Sequence, residues 1–353
     1  MKMSNLKDKK PLLPTSGFLV ALTLSMMMAP VAHAQTVIAT IPVGTNPLGV
    51  DVNPIKYEVY VASQRGDSVT VIDAKTNTII TTVLLPAGSG PIAVAVNSHT
   101  NQVFVTNSFA DTVTMINFRD HKVGATIPVP ADPYGIGVNS DTNMVYVASP
   151  RSQVITVIDG QTDTVVKTIP DPVGQPTSPT AVAVNPQTNT IYVATNPCFF
   201  GLTICPVGNI LVIDGSTNTI TTTIPTDTGP ICATAFGVNT ATNTIYESDG
   251  GSNSRVDVIN GATNTVVGTV SIPGTPNPLV PSPCQPGVNQ VTNRIYVAGT
   301  NTNSVYVIDG STNTIVGGPV PVGNTPTGVA ADPRTDTTYV ANFYSNTVSV
   351  IAG

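Results

Sequence analysis

Apolar and polar residues alternate along most of this chain in short runs separated by Asn, Asp, Gly and Pro. Such a two-residue period predicts strands with one face buried, and no segment after residue 34 carries a convincing 3.6-residue apolar stripe. Residues 179–225 show the unit. Thr180–Val184, Thr190–Ala194, Ile210–Ile213 and Thr219–Ile224 read as four strands, turned by NPQTN, a longer loop and DGSTN. Asn, Asp and Gly suit those turns through local side-chain hydrogen bonds and tolerance of left-handed backbone.

The unit recurs seven times. The phrases VYVAS, VFVTN, VYVAS, IYVAT, IYESD, IYVAG and TYVAN place Tyr60, Phe104, Tyr146, Tyr192, Tyr246, Tyr296 and Tyr339 at intervals of 44, 42, 46, 54, 50 and 43 residues. Seven residues before each aromatic stands Asn53, Asn97, Asn139, Asn185, Asn239, Asn289 or Asp332. Four antiparallel strands at such a period predict the blade of a β-propeller. The first strands (LGVDV, IAVAV, YGIGV, TAVAV, TAFGV, CQPGV, TGVAA) are rich in small residues, as blades converging on an axis require. The seventh unit ends after three strands, and TVIATIPVG near the start matches fourth-strand text such as TVVKTIPDP. Thr36–Ile41 is therefore expected to complete the last blade and remove an open edge.

These phrases resemble the YVTN-repeat family of seven-bladed β-propellers, over essentially all of residues 36–353. The resemblance implies an all-β ring of four-stranded blades and a surface-layer or periplasmic setting. Most such proteins have no established reaction, while related seven-bladed folds include sugar lactonases, quinone-dependent enzymes and lyases.

The first 34 residues read differently. Lys2, Lys7, Lys9 and Lys10 precede a nearly continuous apolar run, Phe18 to Met28, and Ala32-His33-Ala34 offers small residues at a cleavage site. This predicts a secretory signal peptide, with residues 35–353 forming the propeller. The run is shorter than a bilayer span, so no membrane span is expected after cleavage and the protein is expected in the periplasm or outside the cell. Removing the leader's four Lys and one Asp from 14 basic and 20 acidic residues leaves a net charge near −9. Such a surface excludes a nucleic-acid partner that binds through phosphate contacts.

The insertions fall on one face. First-to-second and third-to-fourth turns are short (PQTN, SDTN, GSTN), whereas Asp171–Ser178, Thr195–Asn209 and Pro273–Cys284 enlarge the opposite side. Insertions confined to one face of a repeat array mark a binding face. Phe109, Phe199, Phe200, Phe343 and Tyr344 lie in its second-to-third-strand loops, Tyr134 begins a first strand near the channel mouth, and Arg65, Arg151 and Arg255 come from loops there. A protein, glycan or small ligand is the expected partner, with aromatic rings as anchors.

Four cysteines follow the leader. Disulfides are the reading for an exported chain, with three pairings open. Cys198 and Cys205 bracket one loop, and Cys232 and Cys284 begin adjacent first strands, which favours Cys198–Cys205 and Cys232–Cys284. A zinc site is the alternative, on weak ligand spacing.

Catalytic chemistry is thin. His99 and His121 read as solvated turn residues and Glu58 as exposed, leaving Glu247, which breaks a column otherwise made of Val61, Val105, Val147, Val193, Val297 and Val340. Its alternatives are an ion pair with Arg255, a divalent-cation site with Asp249, or proton transfer. Asp51 and Gln285 interrupt the Gly/Ala columns of the first strands as channel candidates. The leading expectation is a non-enzymatic exported binding module without a cofactor. The alternatives are a lactonase- or lyase-like enzyme at the channel mouth, or a structural envelope component.

Overall fold

The computed structural model describes residues 35–172, 178–196, 208–226, 235–249, 255–273, 285–316 and 318–353. Seven antiparallel sheets follow one another around a ring. Blade 1 consists, from the axis outward, of Pro47–Asn53, Glu58–Ser63, Ser68–Asp73 and Thr78–Leu84. The same order recurs through blade 5, and the outer strand of blade 6 is split into Thr314–Ile315 and Val320–Pro321. Blade 7 combines Pro326–Asp332, Thr337–Asn342 and Thr347–Ala352 with Thr36–Pro42 from the other end of the chain. The fold is a seven-bladed β-propeller closed by its N-terminal strand, as the repeat text predicts.

Packing follows the sequence columns. The second and third strands are almost wholly buried, while the outer strands expose Thr, Val and Ile and turn inward one apolar residue near their ends, such as Ile41, Ile127, Ile169 or Ile224. Small residues on the inner strands are a steric requirement. A Cβ on Gly49 would lie 2.7 Å from the Ile92 carbonyl oxygen and 2.8 Å from Ala93 Cα, and Gly135 faces Thr180 and Ala181 in the same way. Both obstacles are backbone, so larger residues would push adjacent blades apart.

Side-chain latches join neighbouring blades. Asn97, Asn139, Asn185, Asn239 and Asn289 are buried, and each uses Oδ1 to accept two N–H groups of its own turn or one of them. Each Nδ2 donates to the next blade, to Asn143, Asn189, Asn243, Asn293 or Asp336, over 2.7–2.8 Å. Those five acceptors have φ between 50° and 58°, a left-handed conformation that Asn and Asp tolerate well. Between blades 7 and 1 the pattern lapses because Asp332 has no amide to donate and Tyr57 holds the left-handed position. Between blades 1 and 2, Asn53 Nδ2 and the Oδ1 of the left-handed Asn101 are buried without a hydrogen-bond partner.

A second latch uses the aromatic column. Tyr146, Tyr192 and Tyr339 donate their hydroxyls to Asn218, Asn264 and Asn77 of the following blade, over 2.8–3.3 Å. Burial pushes these three phenols up to about 12. In blade 6 the hydroxyl of Tyr296 instead accepts from Gln35 Nε2 at 3.3 Å, because the N-terminal strand replaces the usual hairpin there.

Candidate functional site

On the insertion-bearing face, loops are pinned by a repeated left-handed residue just before the third strand. Asp67 accepts from Gly88 N (2.8 Å) and Gly90 N (2.9 Å), Asp111 from Asp132 N (2.8 Å), Asn303 from Thr325 N (2.9 Å), and Asn346 from Asn46 N (2.8 Å). These residues have φ of 42–54°, and each ties a second-to-third-strand turn to the segment that enters the next blade. Phe109 and Tyr344 sit on turns fixed in this way and are 64% and 53% exposed. Their backbone N–H groups donate to Ser89 O and Asn324 O, which holds the turns against the preceding linkers.

Two aromatic residues expected on this rim lie elsewhere. Tyr134 and Phe343 are each 6% exposed and pack with Leu48 and Ile92 in the core near the axis, so they present no ring to a ligand. Phe343 instead meets Tyr344 edge-on, with ring centroids 4.9 Å apart, and supports it from below. Arg65 is exposed. Arg151 is exposed too, with Nε 4.0 Å from Asp132 Oδ2. Partial burial raises the Asp132 carboxyl above its ordinary value, against the lowering effect of Arg151. Phe199, Phe200, Cys198, Cys205, Cys232 and Cys284 lie outside the described residues.

The axis holds a cavity of about 290 Å³ lined by inner-strand residues of all seven blades. It occupies the half of the ring next to the short turns, where Pro54, Gln290 and Pro333 form its mouth. Toward the insertion-bearing side, Leu48, Ile92, Tyr134, Thr180 and Thr327 are buried. The described cavity therefore opens on the face opposite to the insertions, not at the mouth where the sequence placed Tyr134. Asp51 and Gln285 both line it.

Asp51 is reached from the cavity but hemmed in by protein, and burial raises its carboxyl from 3.8 to about 6. Backbone N–H groups of Val52 and Val96, both at 2.8 Å, oppose that shift. In the unfolded chain the group ionises near 4, so folding keeps a proton between pH 4 and pH 6 that the unfolded state has lost. Stability from this group is thus greatest below pH 4, falls as pH rises to 6, and is constant above. Asp51→Ala should remove the effect. The melting temperature of the variant relative to the native chain should climb from pH 4 to pH 6, by the equivalent of on the order of 2 kcal/mol. A constant difference across pH 4, 5, 6 and 7 would show that Asp51 titrates normally.

Glu247 is 1% exposed and lies opposite Asp257 in the strand register. Arg255 is not a loop cation: it opens the third strand and places Nη2 3.3 Å from Asp257 Oδ2, while Thr269 donates to Asp257 Oδ1 at 2.8 Å. The side chain of Asp249 lies outside the described residues. Among the described residues no group of three or more His, Cys, Asp and Glu comes together as a metal site.

Glu58 and His121 are not solvated. Glu58 is 8% exposed, and its Oε2 accepts from Tyr60 Oη at 2.6 Å and lies 3.2 Å from His121 Nε2. His121 occupies the left-handed turn position that Asn77, Asn218 and Asn264 hold in other blades. The Tyr–Asn latch is thus replaced between blades 1 and 2 by Tyr60–Glu58–His121. Burial and the bond to Glu58 raise the Tyr60 phenol. Glu58 was legible only as one of the two Glu after residue 34, since the contact joins residues 63 apart.

No family model matches the chain, and no curated protein matches it. Among solved structures, the chain is similar to the one titled Kuenenia stuttgartiensis Hydrazine Synthase, with a TM-score of 0.74 at 18% identity. The superposition covers 88% of this chain and 96% of that one. At that identity the likeness is one of fold. The chain is a seven-bladed β-propeller. Its YVTN-like phrases remain a resemblance of repeat text.

Proposed function

We propose that this propeller is an exported binding module whose insertion-bearing face docks a protein or glycan of the cell envelope. The observation that carries this reading is the contrast between Phe109 and Tyr344, exposed on pinned turns, and Phe343 and Tyr134, packed beneath. Large rings held rigidly give contact area at low conformational cost. Arg65 and Arg151 supply directional hydrogen bonds on the same face. The leader chemistry of residues 1–34 supports export.

The test compares the mature chain with a Phe109→Ala/Tyr344→Ala double variant in capture of native envelope extract, with protease-treated and periodate-treated extracts run in parallel. The double variant should weaken capture at least tenfold, about 1.4 kcal/mol, and leave the melting temperature unchanged because both rings lie outside the core. The parallel arms distinguish protein from glycan. A His99→Ala/Val291→Ala control, at exposed turn positions on the opposite face, should change neither quantity. If the control pair lost binding and the aromatic pair did not, the assignment of faces would be reversed.

A further inference from the structure

The axial cavity carries chemistry that the repeat does not require. In the other six blades the position of Asp51 is held by Ala95, Gly137, Ala183, Gly237, Gly287 or Ala330. The ring can therefore be built with a small neutral residue at this point. One blade instead projects a carboxylate beside the axis, fixed by hydrogen bonds from Val52 N in its own blade and Val96 N in the next. Each carboxylate oxygen accepts one backbone hydrogen bond and retains a further lone pair.

The surroundings define what could pair with that charge. Among the described residues lining the cavity, Asp51 is the only ionisable one, and none of them is a Lys, Arg or His that would neutralise it. The remaining lining residues carry mostly small or apolar side chains, including Val96, Ile136, Val184, Phe236, Val288 and Val329, while most of the surface exposed to the cavity is polar. Gln285 and Gln290 add two amides, and Gln290 Oε1 already accepts from Thr240 Oγ1 at 2.6 Å. Calcium takes six to eight oxygen ligands, and magnesium demands near-ideal octahedral geometry. One carboxylate and two amides set among valines serve those ions poorly. An ammonium head needs only hydrogen-bond acceptors and negative charge, which Asp51 and the polar surface supply, and a short attached alkyl chain gains by contact with side chains such as Ile136, Val184 and Val288.

We propose that the axial cavity binds a small organic ammonium ion, a primary amine with a short alkyl chain, whose head pairs with Asp51 and whose chain lies along the inner strands. A volume of about 290 Å³ sits at the lower end of small-molecule pockets, which sets the size class. The ligand enters from the short-turn face, so this site and the docking face operate from opposite sides of the ring.

n-Butylammonium titrated into the mature chain, followed by calorimetry and ligand-observed NMR, tests the proposal. Saturable one-to-one binding is expected at pH 7.5. It should weaken at least tenfold in Asp51→Ala, which should fold because Ala holds this position in three other blades, as its melting transition will verify. Affinity should also drop at pH 5, where the carboxyl holds its proton, and butyrate should not bind. The Phe109→Ala/Tyr344→Ala variant should retain full butylammonium affinity, which separates this site from the docking face. Absence of saturable binding, equal affinity in Asp51→Ala, or saturable calcium binding that butylammonium does not displace would each overturn the proposal.

Discussion

Deleting residues 35–42 is expected to abolish cooperative unfolding of the propeller, residues 35–353. The deletion removes the outer strand of blade 7, which pairs with Thr347–Ala352 from Thr36↔Ala352 to Pro42↔Thr347. It also removes Ile41, 5% exposed and packed with Val348 and Val350, and the Gln35 contact to Tyr296. Burial of one Ile side chain contributes about 2 kcal/mol and each ladder hydrogen bond about 1 kcal/mol. The combined loss approaches the whole stability of an ordinary domain, about 5–15 kcal/mol. It also leaves an unpaired edge and a one-strand gap beside blade 6. Calorimetry should show a broad, low-enthalpy transition in place of a sharp one. A peptide of residues 35–45 added in trans should restore part of the lost enthalpy. An unchanged melting temperature in the truncated chain would mean that the ring does not close through this strand.

The second large loss is expected from Asn139→Ala. Asn139 is fully buried, accepts from Asp141 N (3.0 Å) and Thr142 N (3.2 Å), and donates to Asn189 Oδ1 at 2.7 Å. Alanine leaves two turn N–H groups without their acceptor and a neighbouring-blade oxygen without its donor. At about 1 kcal/mol for each bond, the variant should lose about 3 kcal/mol of stability. Asn53→Ala provides the internal comparison. Asn53 makes the same turn bonds to Ile55 N and Lys56 N, but its Nδ2 has no protein partner. Its replacement should therefore cost about 1 kcal/mol less. Urea midpoints of the two variants measure the difference. Equal losses would show that the amide-to-amide bond between blades contributes nothing.

The elements legible in the sequence were those set by local pattern. Strand text around Tyr192 placed four strands within a residue or two of their observed bounds, because alternation and turn chemistry act over a few residues. Ring closure was legible for the same reason, since TVIATIPVG repeats the outer-strand text. The Asn column was read as turn chemistry, and half of each residue's role is that. The other half, donation to the next blade, joins residues 46 to 58 apart and leaves no local mark.

The candidate site was less legible because burial at a rim depends on which long-range neighbours arrive. Phe343 and Tyr344 are adjacent, yet one packs among Leu48, Ile92 and Tyr134 while the other faces solvent. The same convergence of side chains near the axis decides where the cavity opens, and it opens on the plainer face. Glu58 and His121 each looked unremarkable in a turn context. Only their meeting across a blade junction, beside a buried phenol, makes them a cluster. Asp51 and Gln285 were found because they break columns of small residues, a signal that survives without any structure.

That both chain ends form one sheet is the claim on which the channel, the two faces and the first loss all depend. Amide hydrogen exchange of the intact propeller, residues 35–353, tests it most directly. Amides of Ala39 and Ile41, which point inward to the 347–352 strand, should exchange at the rate of global unfolding, together with those of Val348, Val350 and Ile351. Exchange of Ala39 and Ile41 within seconds, while residues 348–351 remain protected, would contradict closure of the ring by the N-terminal strand.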